Sequence, residues 1–343
     1  MTQQHGAGGP VQKGPAQRNV EKILKRSARV EQRDAAQELA AATQVEPNVA
    51  QTPRRMAVGI ACTLVGGVLW GVNGSVSKIL MEQYGASPMW VACVREIFAG
   101  LVFLACGATG SPKALRKAFT TVRDYPMYLV TALTCVTLVQ VAYLFSIHWT
   151  NAGTATVLQT VNLLMVLGYV CVRGRRRPSA REVVGVALAF TGVWLLATGG
   201  DFGALSLPLP GLLWGLADAF ACACLAIIPV KLIAKYGNFV VNGITFLLSG
   251  LILTPFVRPW AHVPAFDARG WWLLAFTVVV GTFVAFWLYM AGVVRIGSMR
   301  ATMFGTIEPV AATVTAVLWT GAIFTPIDFV GFALILIMAF LVH

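Results

Sequence analysis

The chain has 343 residues, of which 57% are hydrophobic and only 12% charged, and its mean hydropathy is +0.73. A water-soluble domain carries about twice that charged share, so a soluble fold is excluded and a polytopic membrane protein is indicated. The net charge of +12 does not mark a nucleic-acid binder, because the basic residues fall in short clusters between apolar runs.

The seven cysteines lie in or at the ends of apolar runs, which offers no disulfide framework. The four histidines are scattered, so no metal site and no cofactor is expected.

Residues 1–55 stand apart: nine basic residues face five acidic ones, without a strong apolar run. This reads as a mostly disordered, cytosolic basic tail, in which Asn19–Thr43 could form a charged surface helix. No signal-peptide core precedes Arg54-Arg55.

Ten apolar runs follow, near 56–80, 88–107, 126–147, 152–171, 182–199, 208–230, 238–257, 270–294, 300–321 and 326–342. Each is long enough to cross a bilayer as a helix, and they are numbered here as spans 1 to 10. Lys and Arg concentrate before span 1 and in alternate loops: Lys113 to Arg123, Arg173 to Arg181, Lys231 with Lys235, and Arg295 with Arg300. The intervening loops hold only Arg258 and Arg269, which places both termini in the cytoplasm.

Polar residues inside the spans are the candidate site. Span 1 carries Gly66, Trp70, Asn73 and Ser77 on one face. Arg95 and Glu96 enter span 2, where Arg95 reads as a structural residue that snorkels or holds a helix end. Span 3 offers Gln140 and Tyr143, and span 8 offers Tyr289; a tyrosine can stack on a solute and hydrogen-bond it, or simply pack. Span 4 has Thr156, Gln159 and Asn162 at i, i+3 and i+6, a polar stripe suited to a solute or to gluing helices. Span 6 sets Trp214 and Asp218 one turn apart. Trp70 and Trp214 could wall a cavity or anchor at the interface; Asp218 could take a proton or cation, or pair with Lys78 or Arg95.

Span 9 is the most constrained. It contains Thr302, Gly305, Thr306, Glu308 and Pro309. A carboxylate at that depth costs roughly 2.5–3.5 kcal/mol on insertion scales, so it should face protein or water. Pro309 removes the helical partner of the Gly305 carbonyl, which must find protein or a wet cavity. Glu308 could bind an amine or couple a proton; it could instead fix packing around the break.

The two halves resemble each other. Trp70-Gly71 answers Trp214-Gly215 at an offset of 144, and Tyr143 answers Tyr289 at 146. Glu182-Val-Val-Gly185-Val-Ala-Leu answers Asp328-Phe-Val-Gly331-Phe-Ala-Leu, again at 146. Five spans per copy invert the second copy relative to the first. The expected fold is all-α and integral to the membrane: ten transmembrane helices as two inverted five-helix repeats, residues 56–200 and 207–342, around a central cavity.

Leu69-Trp70-Gly71, Arg95, Asn151-Ala-Gly-Thr-Ala155, Arg300-Ala301, Glu308-Pro309 and the Thr325–Leu334 segment together resemble the drug/metabolite transporter superfamily, in its EamA-type branch. The resemblance covers about residues 56–342 and implies a cavity lined by spans 1, 3, 4, 6, 8 and 9. It implies carriage of small solutes such as amino acids across the inner or plasma membrane. The chain departs from the family at Leu163, where a proline is usual; this puts a kink in span 4 in question, with Asn162 standing opposite Glu308.

The expected function is a secondary carrier or facilitator of a small polar or amphipathic metabolite. Its substrate-binding set is Glu308, Gln159, Asn162, Tyr143, Tyr289, Trp70, Trp214, Asn73, Asp218, Thr302 and Thr306. Protons are the candidate coupling ion, lipid surrounds the chain, and it acts as a monomer or homodimer. No catalytic residue is expected: the chain lacks both a Gly-x-x-x-x-Gly-Lys-Ser/Thr loop and a His-Glu-x-x-His pair. A non-transporting receptor or scaffold is the main alternative, and an intramembrane enzyme a weaker one.

Overall fold

The computed structural model describes residues 53–174, 177–201 and 205–342. The basic tail, except for its last three residues, lies outside them, as do Arg175 and Arg176 of the basic loop. Among the described residues the chain is helical throughout its regular structure. Nine helices among the described residues are long and apolar enough to cross a membrane: Pro53–Gln83, Pro88–Gly110, Val122–Trp149, Ala152–Gly174, Ala180–Thr198, Leu209–Ile227, Asn238–Val257, Ala268–Ile296 and Arg300–Thr320. The tenth, Pro326–Val342, has 17 residues, the short end of what spans a ~30 Å core. They match the ten expected runs one for one.

Two short helices were not expected. Pro112–Thr120 and Val230–Tyr236 lie in loops between spans and pack together through Ala118, Leu232 and Tyr236.

The packing follows a two-fold pattern. Span 1 packs on spans 8 and 9, and span 6, its mate in the other half, packs on spans 3 and 4. Spans 2 and 7, 4 and 9, and 5 and 10 each pack on their own mates. This is the arrangement of two inverted five-helix repeats around a shared centre. Glycines set the distances. Gly192 and Gly331 face each other across spans 5 and 10, and a Cβ on either would stand 2.8–3.0 Å from the other's carbonyl oxygen. Gly185 packs against Met338 and Val342, so all three glycines serve contacts within one chain.

Both halves repeat the same irregularities. Thr131–Thr137 in span 3 and Phe276–Val284 in span 8 are π-helical, at an offset close to 146. Such widened turns leave backbone groups loosely paired and recur at functional sites. In each, a threonine bonds the carbonyl five residues back: Thr137 to Ala132 at 3.0 Å and Thr282 to Thr277 at 2.8 Å.

Span 9 breaks at Thr306, as Pro309 requires, between helices Ser298–Gly305 and Ile307–Thr320. Span 4 breaks too, at Thr160, the residue 146 positions earlier, although it has no proline. The doubt raised by Leu163 is thereby answered. Thr160 and Thr306 adopt nearly the same backbone, φ −61° and ψ −19° against φ −62° and ψ −3°. That shallow ψ tightens the turn, and Thr160 and Val161 donate to carbonyls three residues back, at 3.1 Å each. Each threonine hydroxyl also bonds back to its own helix: Thr160 to Thr156 at 3.1 Å, Thr306 to Met303 at 2.6 Å. Hydroxyls that compete for helical carbonyls bend helices, and in span 4 this happens without a proline.

Candidate functional site

Glu308 sits at the break in span 9 and faces into the bundle. Tyr143 of span 3, Asp218 and Cys222 of span 6, and Tyr289 of span 8 lie around it. The residue is only half-buried, while Pro309 and Ala312 beside it are buried. Glu308 is thus set at mid-span among side chains of three other helices. Among the described residues its carboxylate accepts no hydrogen bond from the protein. The carbonyl freed by Pro309, on Gly305, turns toward span 1: a Cβ on Gly67 would lie 3.3 Å from it. It is thus covered by protein, as a bilayer demands.

Span 1 reaches this point because it has glycine. A Cβ at Gly71 would fall 2.5 Å from the Glu308 carbonyl oxygen and 2.7 Å from the Ala312 nitrogen. Its mate Gly215 packs equally tightly on Leu158, at 2.6 Å. The Trp-Gly pairs therefore combine a close-contact residue with a large ring. Trp70 packs on Tyr289 with ring centroids 5.0 Å apart, and Trp214 stacks on Phe145 at 4.9 Å. Each indole therefore packs on an aromatic ring of the opposite half.

On the opposite side, Tyr143 shares a hydrogen bond of 3.0 Å with Thr156 of span 4 and lies against Gly74 of span 1. Gln159 donates to Cys222 Sγ at 3.3 Å, and Cys222 in turn contacts Asp218. Asp218 is fully buried, accepts from Cys222 at 3.7 Å, and keeps Oδ2 without a partner. Tyr289 is hydrogen-bonded to Thr302. The structure thus brings Glu308, Tyr143, Tyr289, Trp70, Asp218, Gln159 and Thr302 around one centre. Trp214 stands behind that group on Phe145.

Three expected residues fit less well. Asn73 is buried and wedged against the π-helical turn of span 8, where a Cβ on Gly281 would meet its amide at 2.3 Å; its Oδ1 has no partner. Thr306 is used by the break itself. Asn162 is half-buried just beyond the break in span 4, with no hydrogen bond among the described residues.

The structural alternatives for Asp218 do not hold. Lys78 bonds three carbonyls at the end of span 3, on Ile147, His148 and Thr150 at 2.8–3.0 Å, and pairs with Glu82 at 3.0 Å. Arg95 donates to Gln140. The snorkelling expected of Arg95 is also overturned, since only 2% of it is exposed. Cys222 and Glu96 were not expected at polar contacts. Glu96 carried the signal of any acid inside an apolar run; Cys222 carried none.

No group of three metal-ligating side chains exists among the described residues. Ten helices in inverted halves, with spans 4 and 9 broken at matched positions, fit a membrane transporter of the drug/metabolite class. The profile of the EamA-like transporter family matches the chain twice, over residues 57–198 and 209–343, and the chain belongs to that family. It is 32% identical over 281 residues to the "Uncharacterized inner membrane transporter YicL" of Salmonella typhimurium, covering 81% of this chain and 92% of that one. It is 21% identical over 279 residues to the "Uncharacterized transporter YwfM" of Bacillus subtilis, covering 80% and 90%. A solved crystal structure shares the fold at a TM-score of 0.56 and 17% identity, over 82% of this chain and 96% of that one.

Proposed function

We propose that this transporter is a secondary carrier for a small polar or amphipathic metabolite, an amino acid or amine-like solute, working by alternating access of its two halves. One observation carries the reading: a half-buried carboxylate, Glu308, lies beside a helix break with no protein donor among the described residues, near Tyr143, Tyr289 and Asp218. A carboxylate so placed can take an ammonium group; the tyrosine and tryptophan rings can stack on the carbon frame, and the amides of Gln159 and Asn162 can bind a polar end. Glu308 and Asp218 are the groups that would exchange protons if transport is proton-coupled. The basic loops support a plasma (inner) membrane location with both termini cytoplasmic. One chain supplies the whole chamber, so the mechanism works in a monomer or in each copy of a homodimer.

The test is flux in proteoliposomes, using solutes first selected by thermal shift from amino acids and amines. Glu308→Gln removes a charge-assisted contact worth about 1.5–3 kcal/mol, so uptake should fall about 10- to 100-fold with the fold intact. Uptake by Glu308→Gln equal to the wild type, at every pH, refutes the reading.

A further inference from the structure

A second buried acid lies outside the chamber. Glu96 of span 2 is fully buried, and its Oε2 lies within hydrogen-bond distance of Ser249 Oγ on span 7. Ser249 Oγ is in turn within hydrogen-bond distance of Thr137 Oγ1, at the end of the π-helical turn in span 3. Thr137 closes the chain on the Ala132 carbonyl at 3.0 Å. The contacts run acid, hydroxyl, hydroxyl, carbonyl across three helices.

Counting hydrogens fixes the direction. A carbonyl oxygen can only accept, so Thr137 spends its one hydroxyl hydrogen on Ala132. The other half shows the same preference: Thr282 donates to the carbonyl five residues back at 2.8 Å. Ser249 must then donate to Thr137, and its own oxygen needs a donor. Three contacts need three hydrogens, and the two hydroxyls supply two. The third must come from the carboxyl. Glu96 Oε1 agrees, since it has no hydrogen-bond partner. A buried carbonyl oxygen of a neutral acid tolerates that at about 1–3 kcal/mol; an oxygen of an ionised carboxylate costs more.

The surroundings hold one competing charge. Arg95 is the next residue on span 2, but its guanidinium is turned to Gln140, and no ion pair joins it to Glu96 among the described residues. Cys93 is the other titratable neighbour, bonded to Gly250 and Thr254 of span 7. Spans 3 and 7 offer Glu96 hydroxyls alone, and span 8 meets span 2 with Phe283 and Phe286 around Phe103.

We infer that Glu96 is a proton-binding site, occupied in this conformation, whose carboxylic acid donates to Ser249 and thereby ties the π-helical turn of span 3 to spans 2 and 7. The ligand is a proton, and the site does not depend on how the chamber is read. If span 3 moved away from span 7, the acid would lose its acceptor beside Arg95, so the site joins a proton to the position of that turn.

Infrared difference spectroscopy of the full chain in lipid at neutral pH tests this without a transport assay. The carbonyl stretch of one un-ionised carboxylic acid should vanish in Glu96→Gln, whose amide can still donate to Ser249. Glu308→Gln and Asp218→Asn identify the bands of their own acids. In Ser249→Ala the Glu96 band should remain and move to higher wavenumber, because its donor contact is gone; this second variant serves if Glu96→Gln fails to fold. Loss of a carboxylate band in Glu96→Gln, or an acid band indifferent to both changes, overturns the inference.

Discussion

Gly71 of span 1 lies against the carbonyl of Glu308 so closely that a Cβ on it would stand 2.5 Å from that oxygen. Span 1 and the helix that carries the acid are thus held together at one contact, which glycine alone permits.

Gly71→Ala should therefore force spans 1 and 9 apart, because the obstacle is backbone and cannot swing away. Overpacking of this kind costs about 1–3 kcal/mol. Gly168→Ala in span 4, which meets nothing within 4 Å, should be neutral or slightly stabilising. Thermal unfolding of the two purified variants in detergent compares them directly.

Lys78 provides a second prediction. Its ammonium ties span 1 to the C-terminal end of span 3 through three carbonyls, and only 7% of the residue is exposed. Those carbonyls have no further helical donors, and a cation there also meets the negative end of the helix dipole. Lys78→Met should cost at least about 1.5–3 kcal/mol in unfolding stability. Glu82→Gln, whose partner keeps its three carbonyls, should cost far less.

The acid limb of stability should carry a signature of Asp267. This residue caps span 8 by accepting from the Gly270 amide at 2.7 Å and accepts from Tyr84 at 2.7 Å. The Gly270 amide first, then the Tyr84 hydroxyl, hold its carboxyl below the usual aspartate range. A lowered folded value means the contribution is present above the unfolded pKa and is lost as pH falls through the folded one. Unfolding temperature should drop in that acid window, and Asp267→Asn, which keeps the cap, should remove this component of the drop.

The alkaline limb should behave oppositely at Lys235. Hydrogen bonding to Asp124, at 2.6 Å, and then to Tyr236 raises the lysine above its ordinary value. This contribution is whole below the unfolded lysine pKa and lost as pH rises through the folded one. Lys235→Gln should flatten the alkaline fall in unfolding temperature, and should also soften the acid limb, because the same lysine holds the Asp124 carboxyl below its usual range.

Much of this architecture could be read in the sequence. Apolar runs fixed by bilayer thickness gave all ten spans, and the Glu308-Pro309 step gave the break in span 9. The offset of 146 brought Tyr143 and Tyr289 together as counterparts. The break at Thr160 escaped notice because no proline marks it; its cause is a hydroxyl bonding back to Thr156. The π-helical turns leave no periodicity to detect. The Glu96–Ser249 contact joins residues 153 positions apart, so the acid was visible but its partner was not. Asn73 shares a helical face with Trp70, yet the glycine at 281 lets span 8 close over it.

The central claim is that Glu308 looks into water inside the bundle. The most direct measurement is thiol accessibility in intact membranes, in a background with the seven native cysteines replaced. Glu308→Cys should react with a membrane-impermeant thiol reagent, because only the thiolate reacts and it needs water. Val314→Cys, on an exposed face of the same helix, is the lipid-facing control and should stay inert. Equal inertness at both positions would contradict the account.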